Sequence, residues 1–456
     1  MNSLTTSSTA DRAARTPAAP VPAAPLPGAE HSATAQQDTA HHDAGRRPIP
    51  SAGGRYARLV QLAGRDFLPI AFVARLPLAM IIVGALTLAT AVSGSYVVGG
   101  LAAGAVGVGS ALGGPLMGHL ADRVGQRAVL LVSALAHTVA IGLLLATAYV
   151  PAGPDAPPVP LLVGASLLVG ATCPQVGSLA RVRWRGLTGG NRRELDTALS
   201  YESTADELTF VLGPALVGLL ASLVAPWSPF VLAAVLTLTM VASFAVHPTR
   251  LAVPAVSAAD RRRAAARPVP GRERLLVLLP VLGMLAMGTF FGAVQNGLNA
   301  FGGEFGVQRA AGLLYAVLGI SSAAAALSVA WWPQRFRPAS RWLASAGAMA
   351  VLSLLFLLPE GIGPMLVVLL VVGLPLGPTM VSIYTIGGDV ARPERLGTVM
   401  TMLASGVVLG SAVGAALAGL LAEAAGHRGA FAVAVGASVA MVLVSGVLAL
   451  LQRRDR

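Results

Sequence analysis

The stretch Gly118-His-Leu-Ala-Asp-Arg-Val-Gly-Gln-Arg127 separates two runs that contain no charged side chain. The first run begins near Tyr96 and the second near Ala128, and each holds about 22 residues. A helix of about 20 apolar residues is long enough to cross the hydrocarbon core of a bilayer. The stretch therefore predicts a short polar loop between two membrane-spanning helices.

The same alternation of apolar runs and polar loops continues along the chain. Of its 456 residues, 55% are hydrophobic and 11% are charged, against about 45–50% and 25% in soluble domains. We place twelve spans, each to within about 2–4 residues, and predict an all-α integral membrane protein with no soluble enzyme domain. Spans 1 to 12 begin near Leu68, Tyr96, Ala128, Pro160, Leu199, Pro229, Leu275, Arg309, Trp342, Ile362, Gly397 and Gly429.

The distribution of charge predicts the orientation. All 32 basic residues are Arg, and the net charge is +12, which would ordinarily raise the question of nucleic-acid binding. However, 29 of these Arg lie on one side of the predicted bilayer, 2 lie on the other, and Arg75 alone lies well inside a span. This asymmetry follows the positive-inside rule. We expect both termini to be cytoplasmic and the Arg to face anionic lipid rather than nucleic acid.

The longest charged connection divides the spans into two sets of six. We predict a disordered cytoplasmic tail at 1–66, six-helix bundles at 67–247 and 275–452, a basic cytoplasmic linker at 248–274, and a cytoplasmic C-terminus at 453–456. The tail is rich in Ala, Pro, Ser, Thr and Gln and has no sustained apolar run. Its pair His41–His42 has no further ligands nearby, so we expect no metal site.

An internal repeat supports the division into halves. The segment Gly213–Ala221 of span 5 recurs 201 positions later as Gly414–Ala422 of span 11, with seven of nine positions identical. Chance similarity is the alternative, because small residues and Leu are common in this chain. Parallel repeats of six helices are one architecture of membrane transporters.

The loop after span 2 resembles the signature that joins the second and third spans of the major facilitator superfamily. The matching residues are Gly118, Asp122, Arg123, Gly125 and Arg127. The resemblance extends over about residues 67 to 452 and implies that this loop latches the two halves in one alternating-access state. The residue types alone suggest local roles: Gly118 permits close approach of two helices, and Gly125 permits a tight turn. The negative charge of Asp122 is expected to stabilise the N-terminus of span 3. A basic turn without this role is the alternative.

Span 5 carries Gly213-Pro214 followed by Gly218, which is similar to the Gly-Pro signature of proton-coupled drug antiporters in the same superfamily. The match is partial, since the regular upstream Gly spacing and the closing Gly pair of that signature are missing. Pro214 removes a backbone hydrogen bond and the glycines let backbones touch, which suits a hinge at a domain interface. An ordinary kinked helix is the alternative.

Acidic residues in span 5 and one Arg in span 1 are the candidates for proton coupling. Glu202, Asp206 and Glu207 fall in the first two turns of the predicted span 5, and Arg75 lies about 10 Å into span 1. Charges in hydrocarbon are costly, so we predict that Arg75 pairs with a span 5 carboxylate and is released when that acid is protonated. The alternatives are a static ion pair, acids that stabilise a helix N-terminus, or an Arg75 that reaches the headgroups.

Polar residues in spans 4, 7, 8 and 10 are the candidate substrate contacts. The family resemblance implies that spans 1, 4, 7 and 10 line a central cavity. Hydrogen bonds between helices are the alternative for each residue, and His137 in span 3 is expected to pack rather than relay protons. The candidates are Gln175, Gln295, Asn296, Asn299, Tyr315 and Tyr384.

The resemblance implies a secondary active transporter, and we favour proton-coupled efflux of small amphipathic organic compounds by antiport. An uptake or sugar-type carrier is the alternative within the fold, and a membrane-embedded enzyme or a sensor is the alternative outside it. The chain has no His-Glu-x-x-His, no phosphate loop and one cysteine, Cys173, so we expect no enzyme activity, metal or cofactor. We expect a monomer in a bacterial plasma membrane, with a small-molecule substrate, protons and lipid as its partners.

Overall fold

The computed structural model describes residues 52–149, 158–257, 259–260, 262–263, 268, 270–306 and 311–453. Within these ranges every regular element is a helix, and 11 are long and apolar enough to cross a membrane. The last, Pro393–Gln452, has 60 residues and would be about 90 Å long if straight. Ala425 and Gly426 have non-helical backbone angles and interrupt it. The helices therefore form twelve spans, as the sequence predicts.

The two halves contain six spans each. The first six are Phe67–Val73 with Leu76–Ser93, Tyr96–Val124, Gln126–Tyr149, Val159–Thr172 with Val176–Leu187, Arg192–Leu223, and Ser228–Val246. The last six are Gly271–Glu304, Ala311–Trp331, Pro338–Leu357, Ile362–Gly373 with Leu376–Val390, and the two parts of Leu396–Arg453.

Span 5 begins earlier than the sequence analysis placed it, at Arg192 instead of near Leu199. The Asn191 side chain accepts hydrogen bonds from the backbone N–H groups of Arg193 and Glu194, so the helix starts within a polar stretch. Glu202 therefore lies about 15 Å from the start of the helix. The expectation that the span 5 acids occupy its first two turns is wrong, and they do not stabilise its N-terminus.

A helix precedes span 1, at Ala52–Ala63. Its Leu59 is 1% exposed, and the Tyr56 hydroxyl donates to the carbonyl of Leu327 in span 8 at 3.0 Å. Burial raises the pKa of Tyr56, so this phenol stays a donor. The expectation of disorder is wrong for this segment, because its few apolar residues pack although they are too few to form a span. Residues 1–51 of the predicted tail lie outside the described residues.

Three spans break next to a proline. Span 1 breaks at Ala74–Arg75, before Pro77, span 4 breaks around Pro174, and span 10 breaks at Pro375. Proline removes a backbone donor and clashes with the preceding turn, which interrupts a helix. The breaks of spans 1 and 4 lie beside one cavity, lined by Arg75 and Pro174, whereas Pro375 lines a different cavity.

Glycines allow spans 2 and 11 to approach each other across the two halves. Gly107, Gly114 and Gly118 lie on one face of span 2, and a Cβ at Gly114 would overlap the hydroxyl of Ser405. A Cβ at Gly107 would lie 3.8 Å from Ala412. We call this contact the glycine seam. Small residues at helix contacts are typical of membrane proteins, because close approach increases van der Waals contact.

Within the second half, glycines also allow spans 7 and 11 to pack closely. A Cβ at Gly410 would overlap the carbonyl of Leu285 in span 7, so we expect Gly410→Val to destabilise the protein by about 1–3 kcal/mol through overpacking. Gly446→Val in span 12 is the matched control, because no heavy atom lies within 4 Å of its Cβ position. The apparent Tm in detergent, followed by Trp fluorescence, should fall for the first variant. Equal Tm values for the two variants would contradict the packing.

Candidate functional site

Four charged side chains meet between spans 1, 4 and 5. Arg75 pairs with Glu202, and its Nε lies 3.5 Å from Oδ1 of Asp206. The other oxygen of Asp206 accepts a hydrogen bond from Arg181 at 2.7 Å. The four groups form a chain, Glu202–Arg75–Asp206–Arg181, with two positive and two negative charges. We call it the charge chain.

The charge chain is almost completely enclosed. Glu202 is 0% exposed, Arg181 1% and Arg75 5%, whereas the Asp206 side chain is 14% exposed. The second oxygen of Glu202 accepts a hydrogen bond from the Trp184 indole at 2.7 Å. Glu202 is therefore held on both of its oxygens, and Asp206 is the acid of the chain that solvent reaches most easily.

Sequence reasoning missed Arg181 and Trp184. Arg181, Arg183 and Arg185 are among the 29 Arg that the sequence analysis placed outside the spans, but the second helix of span 4 runs to Leu187. Arg75 is therefore not the only Arg inside a span. A signal was present, because Leu179, Ala180, Trp184 and Leu187 follow one another at helical spacing through this segment, but the three charges led us to end the span before them.

Arg181 also reaches the second half. Its guanidinium lies over the Tyr384 ring of span 10, 3.7 Å from the centroid, a geometry that a cation and an aromatic face prefer. Gly177 leaves room for this arrangement, because a Cβ there would lie 3.1 Å from Asp206 and 3.2 Å from Arg75. A change in the Arg181–Asp206 pair would thus move Arg181 relative to Tyr384 and alter the contact between the halves.

Glu207 is not part of the charge chain. One of its oxygens accepts a hydrogen bond from the Ser322 hydroxyl of span 8 at 2.7 Å, and Thr204 donates to the carbonyl of Ala323 at 3.2 Å. The other oxygen of Glu207 is buried without a hydrogen-bond partner among the described residues. Tyr315 lies about two turns along the same face of span 8 as Ser322. The adjacent acids of span 5 therefore face different halves.

A small cavity lies beside the charge chain, between the halves. Its volume is about 50 Å³, and its polar lining includes Arg75, Gln175, Arg181, Asp206 and Tyr384. This space holds a few water molecules but is far below the roughly 300 Å³ that a small organic ligand requires. The site is therefore contracted in this conformation.

The candidate substrate contacts divide into two groups. Gln175 and Tyr384 line the cavity. Asn296 donates to the carbonyl of Ala415 in span 11 at 2.5 Å, and Gln295 and Asn299 are exposed. Tyr315 is half-buried away from the cavity lining.

His137 packs as the sequence analysis expected. Its Nδ1 lies 3.0 Å from the carbonyl oxygen of Val169, and the ring is fully buried. Histidine in such a setting holds two helices together.

Asp122 joins the two halves. Its carboxylate accepts hydrogen bonds from the backbone N–H groups of Gly397 and Thr398, each at 2.8 Å, and from the Thr398 hydroxyl at 2.8 Å. The residue thus caps the N-terminus of span 11. The expectation that it stabilises span 3 is wrong, because Asp122 lies within span 2, one turn after Gly118, on the face that contacts span 11.

The rest of the signature loop surrounds this cap. A Cβ at Gly118 would overlap the Thr401 hydroxyl and the Gly397 carbonyl, so the close approach that brings Asp122 to span 11 requires glycine there. Arg123 and Arg127 are exposed at the same end of the spans.

Further ion pairs join the halves at the Arg-rich end. Arg185 and Arg192 bind the two oxygens of Asp389 in span 10 at 2.9 and 2.8 Å. Arg341 of span 9 lies 3.5 Å from Asp196 of span 5. Within the described ranges, the hydrogen bonds and ion pairs between the halves lie at this end or near mid-span. The Arg-rich end is therefore closed.

The predicted hinge residues of span 5 differ in their surroundings. A Cβ at Gly213 would lie 2.6 Å from the Cβ of Ala79, so spans 1 and 5 touch there. Pro214 lies inside a continuous helix, and no heavy atom lies within 4 Å of a Cβ placed at Gly218. Gly213 is a packing contact, and a hinge role for the three residues stays a prediction.

Comparisons with known proteins agree with this architecture. The sequence profile of the Major Facilitator Superfamily matches residues 67–405. The human organic anion transporter MFSD10 (TETRAN) has a similar structure, with a TM-score of 0.59 and 21% identity over 86% of this chain and 99% of that one. A bacterial homologue of the iron transporter ferroportin, in an outward-facing state, is also similar, with a TM-score of 0.62 and 14% identity over 84% of this chain and 98% of that one. No curated protein sequence matches this chain.

Loss of the Asp122 cap should weaken closure. We expect Asp122→Asn to open the Arg-rich end in a larger fraction of molecules, because it removes the negative charge at the N-terminus of span 11, at a cost of about 0.3–1 kcal/mol. Spin labels at Arg127 and Arg395 would report the separation of the halves by double electron–electron resonance. Asp260→Asn, in the exposed linker, is the control. A distance distribution unchanged by Asp122→Asn would contradict the latch.

Proposed function

The chain belongs to the Major Facilitator Superfamily and is a secondary transporter, and we propose that it exports small amphipathic organic compounds in exchange for protons. The observation that carries the proposal is the charge chain, because it lies beside a cavity formed by both halves. The partial Gly-Pro signature of span 5 supports the direction. The Arg asymmetry supports cytoplasmic termini, and the composition supports a bacterial plasma membrane.

Asp206 is the proposed proton acceptor. It lines the cavity and is the most exposed acid of the charge chain, whereas Glu202 is enclosed by Arg75 and Trp184. A proton on Asp206 would leave the enclosed chain with one excess positive charge. An unbalanced charge costs several kcal/mol in a low-dielectric interior, so protonation would favour a rearrangement that releases Arg181, while Arg75 remains paired with Glu202.

The rearrangement would act on both halves through Arg181. This side chain links Asp206 of the first half to Tyr384 of the second, so the protonation state of Asp206 biases the contact between them. A substrate that donates hydrogen bonds to the Asp206 carboxylate competes with the proton for it. Competition between two ligands for one group gives negative coupling, which is what antiport requires.

The contacts that tie the halves together at the Arg-rich end, namely the Asp122 cap and the ion pairs, have a total free energy suited to a conformational switch. A capping carboxylate contributes about 0.5–2 kcal/mol, and partly exposed ion pairs contribute about 0–1 kcal/mol each. Their sum is a few kcal/mol, similar to the difference between two populated conformations. With the tail in the cytoplasm, the closed conformation faces outward, and the inward-facing state requires these ties to break.

An uptake carrier for organic anions is the second candidate. Two guanidinium groups, Arg75 and Arg181, line the cavity, and one structural neighbour is described as an organic anion transporter. An anion bound to Arg181 would take the place of Asp206 on that guanidinium, and a proton on Asp206 would then keep the enclosed charges balanced. Anion and proton would thus move together, in contrast to the antiport of the first candidate.

The direction of proton movement tests the proposal. Proteoliposomes that contain a pH-sensitive dye would be exposed to a panel of amphipathic cations, neutral compounds and organic anions. We expect a compound gradient to drive protons in the opposite direction, and Asp206→Asn to reduce this proton movement at least about tenfold while substrate exchange persists. Proton movement along with the compound would favour the anion carrier.

Two further variants separate coupling from folding. Glu207→Gln tests whether the acid at the second half also carries protons, since it removes the charge and keeps the Ser322 hydrogen bond available. Glu360→Gln, at an exposed ion pair with Arg428, is the control and should leave proton movement unchanged. Full proton coupling in Asp206→Asn would overturn the assignment of Asp206.

A further inference from the structure

A second cavity, of about 380 Å³, lies within the second half, among spans 8, 9 and 10. This volume is within the range of pockets that hold small organic ligands. The lining is Ala325, Ser328, Trp332, Phe336, Arg341, Ala344, Ser345, Ala348, Leu352, Leu374, Pro375 and Pro378. We call it the lateral groove. Ala344, Ala348 and Leu374 are exposed, so the groove opens on the surface that the spans present to lipid.

The groove has the depth of one bilayer leaflet. Its wall on span 9 is a single helical face from Arg341 to Leu352, with lining residues three or four positions apart. That face covers about 16 Å along the helix, close to half of a hydrocarbon core about 30 Å thick. Small side chains at Ala344 and Ala348 leave the space open. The groove therefore extends from the Arg-rich end to the middle of the membrane.

Aromatic rings form the mouth of the groove at the Arg-rich end. Trp332 and Phe336 stack with centroids 5.5 Å apart, and the Trp332 indole donates to the Ser328 hydroxyl at 3.2 Å. Tryptophan at a span end favours the headgroup level of the bilayer. Phe336 is flanked in sequence by Arg335 and Arg337, which are both exposed.

One positive side chain lies inside the mouth. Arg341 is 3% exposed and lines the groove, and its Nε is buried without a hydrogen-bond partner among the described residues. Its Nη2 reaches Asp196 of the other half at 3.5 Å. An enclosed guanidinium donor with no acceptor is costly, and no acidic residue lines the groove. The wall of the groove therefore carries the positive charge of Arg341 with no carboxylate in the lining.

We propose that the lateral groove binds an anionic phospholipid from the leaflet at the Arg-rich end. One acyl chain lies along the span 9 face, and the phosphate lies at the mouth near the Arg335, Arg337 and Arg341 side chains. Basic pockets between spans at the end of a leaflet suit such headgroups, and the apolar lower groove suits a chain. Because Arg341 also contacts Asp196, the lipid binds next to a tie that closes the Arg-rich end.

Brominated lipids test this site directly, because bromine on an acyl chain quenches Trp fluorescence on contact. Phosphatidylglycerol and phosphatidylcholine with the same brominated chains would be titrated into the purified full-length protein in detergent. We expect saturable quenching by phosphatidylglycerol at a concentration at least about fivefold lower than by phosphatidylcholine. Trp332→Phe should remove most of that saturable component.

Two pairs of variants make the test specific. Ala348→Leu, which fills the groove, should abolish saturable quenching, whereas Ala440→Leu on the exposed face of span 12 should not. The double variant Arg335→Gln and Arg337→Gln should raise the half-quenching concentration of phosphatidylglycerol toward that of phosphatidylcholine, whereas Arg193→Gln should not. Equal titrations for the two lipids, or saturable quenching that survives Ala348→Leu, would overturn the proposal.

Discussion

The cost of keeping ionised side chains out of water governs the arrangement of this protein. A single charge in a low-dielectric interior costs several kcal/mol unless a partner of opposite sign is held in good geometry. The charge chain satisfies that condition with two Arg and two acids from three spans. Its members fix how spans 1, 4 and 5 approach each other, and Arg181 extends the constraint to span 10 through Tyr384. The small cavity between the halves exists where this arrangement leaves space.

In the described part of the chain, two carboxylates cap helices, with different consequences. Glu304 at the end of span 7 accepts hydrogen bonds from the backbone N–H of His427 at 2.8 Å and from its ring at 2.5 Å, and so caps span 12 of its own half. Asp122 caps span 11 of the opposite half. The chemistry is the same, but the first cap stabilises a fold, whereas the second is available to a conformational change.

The number of spans and most of their starts could be predicted from the sequence, because a run of about 20 apolar residues is typical of a membrane-spanning helix. It also predicted that Arg75 meets a span 5 acid, since a charge in hydrocarbon needs a partner. It failed at Arg181 and at the start of span 5, where polar residues continue a helix beyond the apolar run. Hydropathy cannot show this, because the burial of those side chains depends on the second half.

The cap formed by Asp122 also depends on contacts distant in sequence. The family resemblance implied that the loop after span 2 latches the two halves, but the residues of the loop do not identify the start of span 11 as the partner, since 275 residues separate Asp122 from Gly397. From the residues alone, we therefore predicted that Asp122 acts on span 3, whose start is nearest in sequence. The same limit applies to the lateral groove, whose walls are ordinary apolar spans until spans 8, 9 and 10 are assembled.

The glycine seam has a mechanical consequence. Large side chains that interlock must leave one set of depressions and enter another whenever two helices rotate against each other, and that step adds an activation barrier. Gly107, Gly114 and Gly118 present a smooth surface, so spans 2 and 11 can pivot without such a step. The speed at which the halves exchange positions would then be set by the breaking of ionic and capping contacts, and would respond to salt more than to the viscosity of the surrounding lipid.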